Sequence, residues 1–193
     1  MHHIYHTEGI ILSHKDFKEA SRYFYVLTKD LGLVYAEAQG IRKLQSKLRF
    51  VLQDFNYVKL DFVQRKNIWR ITTASKVGEF DKIYKDFNKL KVIANISKLL
   101  IRLLAGEEKN EKLFEEVLNG FSLIEYNQDS NNLKNIEIIL VLRILNNLGY
   151  ITEDKTFEDL VVSPFGLELL PQILENKSKV INEINKALRE SQL

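Results

Sequence analysis

Cysteine is absent from all 193 residues. Its absence excludes disulfides, thiolate nucleophiles, iron–sulfur clusters and cysteine-ligated zinc, and predicts a reducing, cytoplasmic setting. Proline occurs only twice, so no proline-rich linker divides the chain. Apolar runs are a few residues long, far short of the roughly 20 needed to cross a bilayer. The start lacks a basic stretch leading into an apolar run and a small-residue cleavage site, so neither a membrane span nor secretion is expected. There is no internal repeat and no low-complexity segment. Net charge is close to nil: 28 Lys and Arg against 26 Asp and Glu.

Hydrophobic residues make up 45% of the chain and charged residues 28%, the balance of an ordinary globular protein with room for a buried core. The charge is unevenly spread. Residues 1–80 hold thirteen basic and eight acidic residues, whereas residues 81–193 hold fifteen and eighteen. A basic front and an acidic rear suggest two modules with different partners, one of them a polyanion.

The front reads as strands. Ile4–Leu12, Arg22–Thr28, Leu33–Gln39, Phe55–Val63 and Ile68–Val77 are short, β-branched or aromatic, and in places alternate with period two. Lys29-Asp30-Leu31-Gly32 and Gly40 supply turn chemistry. Five strands in this length predict a small closed barrel, the five-stranded OB type first and an SH3-like barrel as the alternative. Near Phe80 the spacing turns helical. Apolar positions mark helices over Asp81–Leu104, Leu113–Ile124 and Leu133–Leu148, the last stopped at Asn147-Leu148-Gly149. Ser163-Pro164 predicts a further helix start, and Val180–Leu188 a last helix. The expected architecture is α+β: an OB-fold nucleic-acid-binding domain over residues 1–79, then an all-α domain over 80–193 packed directly against it.

The strongest local chemistry is the stretch Gly40–Arg49. It carries Arg42, Lys43, Lys47 and Arg49 with no acid between Glu37 and Asp54. Dense positive charge on a strand connection suits phosphate, each contact releasing counterions. The competing reading is a merely solvated loop. Arg65 and Lys66 occupy the hairpin between the last two strands, a common nucleic-acid loop in such barrels. Aromatic rings interleave with this charge. Tyr35 and Tyr57 lie opposite in parity to the aliphatic face of their strands, so they are the candidates for stacking on bases. Tyr23 and Tyr25 share one face of their strand, Arg22 and Phe24 the other, and parity alone leaves the inward face open.

Other chemistry is missing. There is no glycine-rich phosphate loop with lysine, no H-E-x-x-H and no G-x-S-x-G. Glu107-Glu108 and Glu115-Glu116 are sequential pairs, which diverge on a helix and read as solvated acidic surface. His2, His3, His6 and His14 lack a carboxylate cluster to complete a metal set and read as terminal histidines. Neither a cofactor nor catalysis is expected. In the rear half, Leu99, Leu100, Leu103 and Leu104 beside Lys98 and Arg102 suggest a groove for an acidic peptide, or else the domain core.

An ordered series of short motifs runs through the front half: Glu8-Gly9-Ile10-Ile11-Leu12, Glu19-Ala20-Ser21-Arg22, Leu27-Thr28 with Gly32, Ala38-Gln39-Gly40-Ile41-Arg42, Ser46-Lys47-Leu48 and Leu52-Gln53-Asp54-Phe55. In this series the chain resembles the N-terminal domain of the bacterial DNA repair protein RecO family, with Asp54 where the family usually has proline. The stretches over 111–121, 141–150 and 161–166 are similar to its helical domain. Many members carry a four-cysteine zinc module after the Leu-Gly-Tyr step. Here Leu148-Gly149-Tyr150 runs on without cysteine, so the chain reads as a shortened member lacking that module. The resemblance implies a non-enzymatic recombination mediator that binds single- and double-stranded DNA and anneals complementary strands. It implies contact with the acidic C-terminal tail of the single-stranded-DNA-binding protein, and with RecR in loading RecA, in the cytoplasm at the nucleoid. Arg42, Lys43, Lys47 and Arg49 would contact the DNA backbone, with Arg22, Arg65 and Lys66 around them, and Lys98 and Arg102 would face the tail peptide. Charge alone also admits a barrel acting on structured RNA, or a protein-interaction scaffold.

Overall fold

The computed structural model describes residues 3–66, 68–78, 80, 82–151 and 157–191. His2, Asp81 and residues 152–156 of the cysteine-free stretch lie outside the described residues.

Five strands close on themselves: β1 (Ile4–Phe17), β2 (Ser21–Thr28), β3 (Gly32–Ala38), β4 (Tyr57–Arg65) and β5 (Ile68–Gly78), in the order β1-β2-β3-β5-β4. Every neighbouring pair is antiparallel except β3 and β5, which run parallel. This is the OB-fold, and the SH3-like alternative falls away. β1 is long because it serves two neighbours. Ile4–Ile10 pair with β4 and Gly9–Phe17 with β2, which closes the barrel. A register shift between Ile11 and Ser13 bends the strand, and Ile10, Ile11 and Leu12 are all buried around it.

The barrel is filled by Phe24 and Val26 from β2, Val34, Ala36 and Ala38 from β3, Val58, Leu60 and Phe62 from β4, and Trp69 and Ile71 from β5. Phe24 points inward, so Tyr23 and Tyr25 point outward. Ile41 and Leu52, from the connection between β3 and β4, are fully buried in the same core. Between them the connection forms a single turn, α1 (Leu48–Val51), packed on β5.

Ser97–Phe114 belong to the same compact unit as the barrel. The Leu33 amide donates to the Gly106 carbonyl at 3.1 Å, and Trp69 Nε1 donates to Glu107 Oε1 at 2.5 Å. Lys109 Nζ lies 3.0 Å from Asp30 Oδ1. Gly32 has φ +71°, and a Cβ there would run into the Glu108 backbone, so this turn admits only glycine. Glu107 is thus a hydrogen-bond acceptor for the barrel's tryptophan and not a purely solvated acid.

The second unit comprises Lys82–Ile96 and the described residues from Glu115 onward. It holds the start of α2 (Phe87–Leu103), most of α3 (Glu111–Tyr126), and α4 (Ser130–Asn147), α5 (Glu158–Val162) and α6 (Leu170–Glu190). The α4 helix is capped by Asp129, which accepts from the Asn131 amide at 2.8 Å, and buries Ile136, Ile139, Leu140, Leu142, Ile144 and Leu145. It packs on α5 and α6. Two expectations are corrected here. Ser163-Pro164 ends α5 and starts no helix: Ser163 is extended (ψ 154°), as a residue before proline prefers. The last helix begins ten residues earlier than Val180, with Pro171 in its first turn, where a missing amide costs nothing.

Arg143 of α4 is 3% exposed. Its Nη1 donates to both Glu116 oxygens at 2.9 and 2.8 Å, its Nε to the Leu160 carbonyl at 2.8 Å and its Nη2 to the Ser163 carbonyl. Its guanidinium also lies 4.9 Å from the Phe165 ring centroid. This one side chain ties α3, α4 and the end of α5 together. Glu116 is therefore the counter-ion of a buried cation, which corrects its reading as solvated surface. Glu116→Ala should leave that cation unpaired and destabilise the chain by about 3 kcal/mol, read from urea denaturation. Glu116→Leu combined with Arg143→Leu should recover most of that loss.

Candidate nucleic-acid interface

The basic stretch follows β3 without a break. Gly40, at φ +68°, turns the chain, and the Lys43 amide donates back to its carbonyl at 3.1 Å. A second turn follows, with the Ser46 amide on the Lys43 carbonyl at 3.0 Å, and α1 comes next. The Arg42 amide donates to the Ala20 carbonyl at 3.0 Å, which pins the stretch to the turn between β1 and β2.

Arg42 and Arg49 of this stretch meet Arg22 of β2 there. Arg22 Nε donates to Asp16 Oδ1 at 2.7 Å. Arg42 Nη1 lies 3.6 Å from the other Asp16 oxygen and donates to the Lys18 carbonyl at 3.3 Å. The Arg49 guanidinium lies over the Phe50 ring at 4.5 Å, and its Nε is buried with no hydrogen-bond partner. Arg22, Arg42 and Arg49 line one open depression of about 400 Å³ with Ile41, Phe50 and Gln53. Phe50 is 61% exposed. Among the described residues the ion pairs of these arginines go to one half-exposed carboxylate, Asp16, so net positive charge remains around the depression. The Arg22 hydrogen bond holds the Asp16 carboxyl below its usual range against slight desolvation, and the charges of Arg22, Arg42 and His14 act the same way.

Lys43 and Lys47 are exposed and form no ion pair among the described residues. Leu44 beside them is 84% exposed. Arg65 and Lys66 line a second depression, of about 490 Å³, with Glu37, Gln64, Ile68 and Arg70. Its single acid, Glu37, lies 3.8 Å from Arg70. Arg22 pairs with Ala38 on β3 and Glu37 pairs with Arg70 on β5, and neighbouring residues of β3 point to opposite faces.

The aromatic candidates separate. Tyr35 is 40% exposed on the outer barrel face, and its ring stacks on Tyr23 at 4.7 Å and 13°. Burial, with Tyr25 and Tyr23 alongside, pushes its hydroxyl pKa up. Tyr57 also points outward, but its ring is half-buried 6.2 Å from Phe114 and its hydroxyl donates to Glu8. Phe50 is the exposed ring beside the arginines. Parity could not single it out, because it stands in a one-turn helix.

Lys98 and Arg102 are exposed one turn apart on α2. The leucines beside them are committed to packing: Leu100 and Leu103 are buried, Leu99 and Leu104 half-buried. The described histidines have other partners. His6 lies 2.6 Å from Asp61, His14 lies 2.7 Å from Asp54, and the His3 ring meets Tyr5 edge-on at 4.5 Å. Asp54 thus holds β1 through His14. Among the described residues no group of three or more His, Asp and Glu side chains could hold a metal ion, and no helix is long and apolar enough to cross a membrane.

The family model for "Recombination protein O N terminal" matches residues 1–80, and that for "Recombination protein O C terminal" matches residues 84–153. The chain is 27% identical over 150 residues to the DNA repair protein RecO of Heliobacterium modesticaldum, covering 78% of this chain and 53% of that protein. It is 28% identical over 136 residues to the DNA repair protein RecO of Caldicellulosiruptor bescii, covering 70% of this chain and 56% of that one. For the Clostridium acetobutylicum DNA repair protein RecO the identity is 23% over 150 residues, with 76% and 59% covered. The chain therefore spans little more than half the length of these relatives.

The Asp16 bridge has a measurable acid signature. Its folded-state pKa is depressed, so its contribution to stability is complete above the unfolded carboxyl value of about 3.9 and is lost as the pH falls through the lower folded value. Asp16→Asn should melt below the wild type at neutral pH, and the two melting curves should converge at the acid end.

Proposed function

Because the chain belongs to the RecO family of DNA repair proteins, we propose that it is a non-enzymatic mediator of recombinational repair that binds DNA through its basic barrel mouth. One observation carries this reading: Arg22, Arg42 and Arg49 converge on a single open depression against one exposed carboxylate, beside an exposed phenylalanine. Convergent guanidiniums suit phosphate, which they grip bidentately. Lys43 and Lys47 extend the positive field along the same connection, and Arg65 and Lys66 form a second basic patch at the β4–β5 hairpin.

The chemistry needed is electrostatic. Each phosphate neutralised releases condensed counterions, and two like-charged strands can then approach closely enough to pair. Annealing of this kind makes and breaks no covalent bond in either strand. In this proposal residues 1–79 are the nucleic-acid-binding domain and residues 80–193 the helical domain. Lys98 and Arg102 offer paired cations for the acidic tail of the single-stranded-DNA-binding protein, RecR is the direct partner, and RecA is loaded as a consequence. The site of action is the cytoplasm, at the nucleoid.

The test is binding of mixed-sequence single- and double-stranded DNA across a salt series, with structured RNA as competitor. Arg42→Glu combined with Lys43→Glu and Lys47→Glu should weaken DNA binding and flatten the log–log salt slope by roughly one unit per lost phosphate contact. Unchanged affinity in that variant would make the barrel a protein scaffold. A clear preference of the wild type for structured RNA would move the substrate class to RNA.

A further inference from the structure

The α6 helix carries two apolar stripes, and only one of them is used inside the chain. Leu170, Ile173, Val180, Ile184 and Ala187 are buried where the helix packs on α4. Lys177 joins that side, its Nζ donating to Asn135 Oδ1 of α4 at 2.9 Å. About a quarter turn round the helix lie Leu174, Ile181 and Leu188, spaced at heptad intervals. Leu174 is 62% exposed, and Ile181 and Leu188 are half-buried. Ser178 and Asn185 lie beside them on the solvent side, so no charge interrupts the strip. A lone surface leucine is ordinary, whereas three large aliphatic residues in line over about four turns form a face that could be covered.

A second copy of the same helix suits this strip. The heptad interval is the repeat that keeps one seam of a helix turned toward another helix. Glu175, Asn182 and Arg189 follow the strip along one flank at the same interval, and all three are exposed. Among the described residues neither Glu175 nor Arg189 forms an ion pair within the chain. Arg189 Nε donates to the Asn185 carbonyl at 3.1 Å, which holds that side chain beside the strip. Two copies of α6 laid antiparallel, with a two-fold axis at Ile181 and Asn182, bring Leu174 of each against Leu188 of the other. The same operation sets Glu175 of each copy against Arg189 of the other and Asn182 against its own counterpart. Opposite charges face each other at both ends, with an amide pair at the centre. A two-fold interface demands this self-complementarity, because every contact in it occurs twice.

We propose that α6 is a self-association surface through which two copies of this chain pair as an antiparallel two-fold dimer. Leu174, Ile181 and Leu188 form its seam, and Glu175 with Arg189 sets its direction. A contact of one 21-residue helix per copy is small for an interface, so the dimer is weak, with a dissociation constant in the micromolar range. The inference is independent of the polynucleotide reading above, and no nucleic acid enters its test.

Sedimentation of the whole chain over a concentration series reads the association. The wild type should pass from monomer to dimer as concentration rises, and Leu174→Glu combined with Ile181→Glu should stay monomeric. Glu175→Arg should raise the dissociation constant roughly tenfold, and adding Arg189→Glu should restore it. That charge-reversal pair leaves the apolar seam untouched, so it decides the matter even where the glutamate variant unfolds. Because the chain has no cysteine, an introduced one reports geometry without ambiguity. Oxidising a mixture of Leu174→Cys and Leu188→Cys chains should link the two to each other, whereas Leu174→Cys alone should remain unlinked. A wild type that is monomeric up to its solubility limit would overturn the proposal and leave the strip to a different partner. A dimer that Glu175→Arg does not weaken, or one that Leu174→Cys alone cross-links as well as the mixture does, would overturn it too.

Discussion

The second half of β1 is the constraint on which the candidate site depends. Its first half closes the barrel on β4, and the bulge after Ile11 bends the rest across β2. That bend brings Asp16 opposite Arg22 and ends the strand at the turn whose Lys18 and Ala20 carbonyls receive Arg42. Asp16 can therefore hold two arginines that are twenty positions apart in sequence. The basic connection is fixed to the barrel mouth by backbone and side-chain hydrogen bonds alike. The same strand delivers Phe17 and Lys15 to the outer face. One bent strand thus sets the place of the arginine depression.

The charge balance explains why such a site stays available to an anion. A carboxylate placed one-to-one against each arginine would cancel the field. Here Asp16 is shared by Arg22 and Arg42, and Arg49 leans on the Phe50 ring. The contrast with the second unit is instructive. There Arg143 is buried, bidentate to Glu116 and bonded to two carbonyls, so its charge is consumed in holding helices together. Two arginine environments in one chain thus separate a cation that is structural from cations that remain open to solvent.

Much of this was legible in the residues, and what was hidden has physical reasons. Alternation around Val34, Ala36 and Ala38, and around Val58, Leu60 and Phe62, announced β3 and β4, because one face of each enters the core. The last five residues of β1 were not announced. His14, Lys15 and Asp16 look like loop residues, and only their pairing with β2 makes them strand. Strand order was out of reach, since the β1–β4 and β3–β5 pairings join distant segments. Charge density pointed to Gly40–Arg49, but the role of Arg22 emerges only from register, which sets it across from Asp16. Parity correctly turned Tyr57 outward without revealing that Phe114 lies against it. The start of α6 was obscured because the first proline, Pro164, mimics a helix entry that Pro171 makes.

The central claim is that a cationic barrel mouth screens the repulsion between polynucleotide strands without covalent chemistry. The most direct measurement is the rate at which two complementary, dye-labelled oligonucleotides pair in the presence of the protein, followed as salt is raised stepwise. The account predicts strong acceleration at low salt that declines linearly on a log–log plot as counterions compete for the phosphates. A protein that leaves the pairing rate at its spontaneous value in low salt, or accelerates it to the same extent at every salt concentration, would contradict the account.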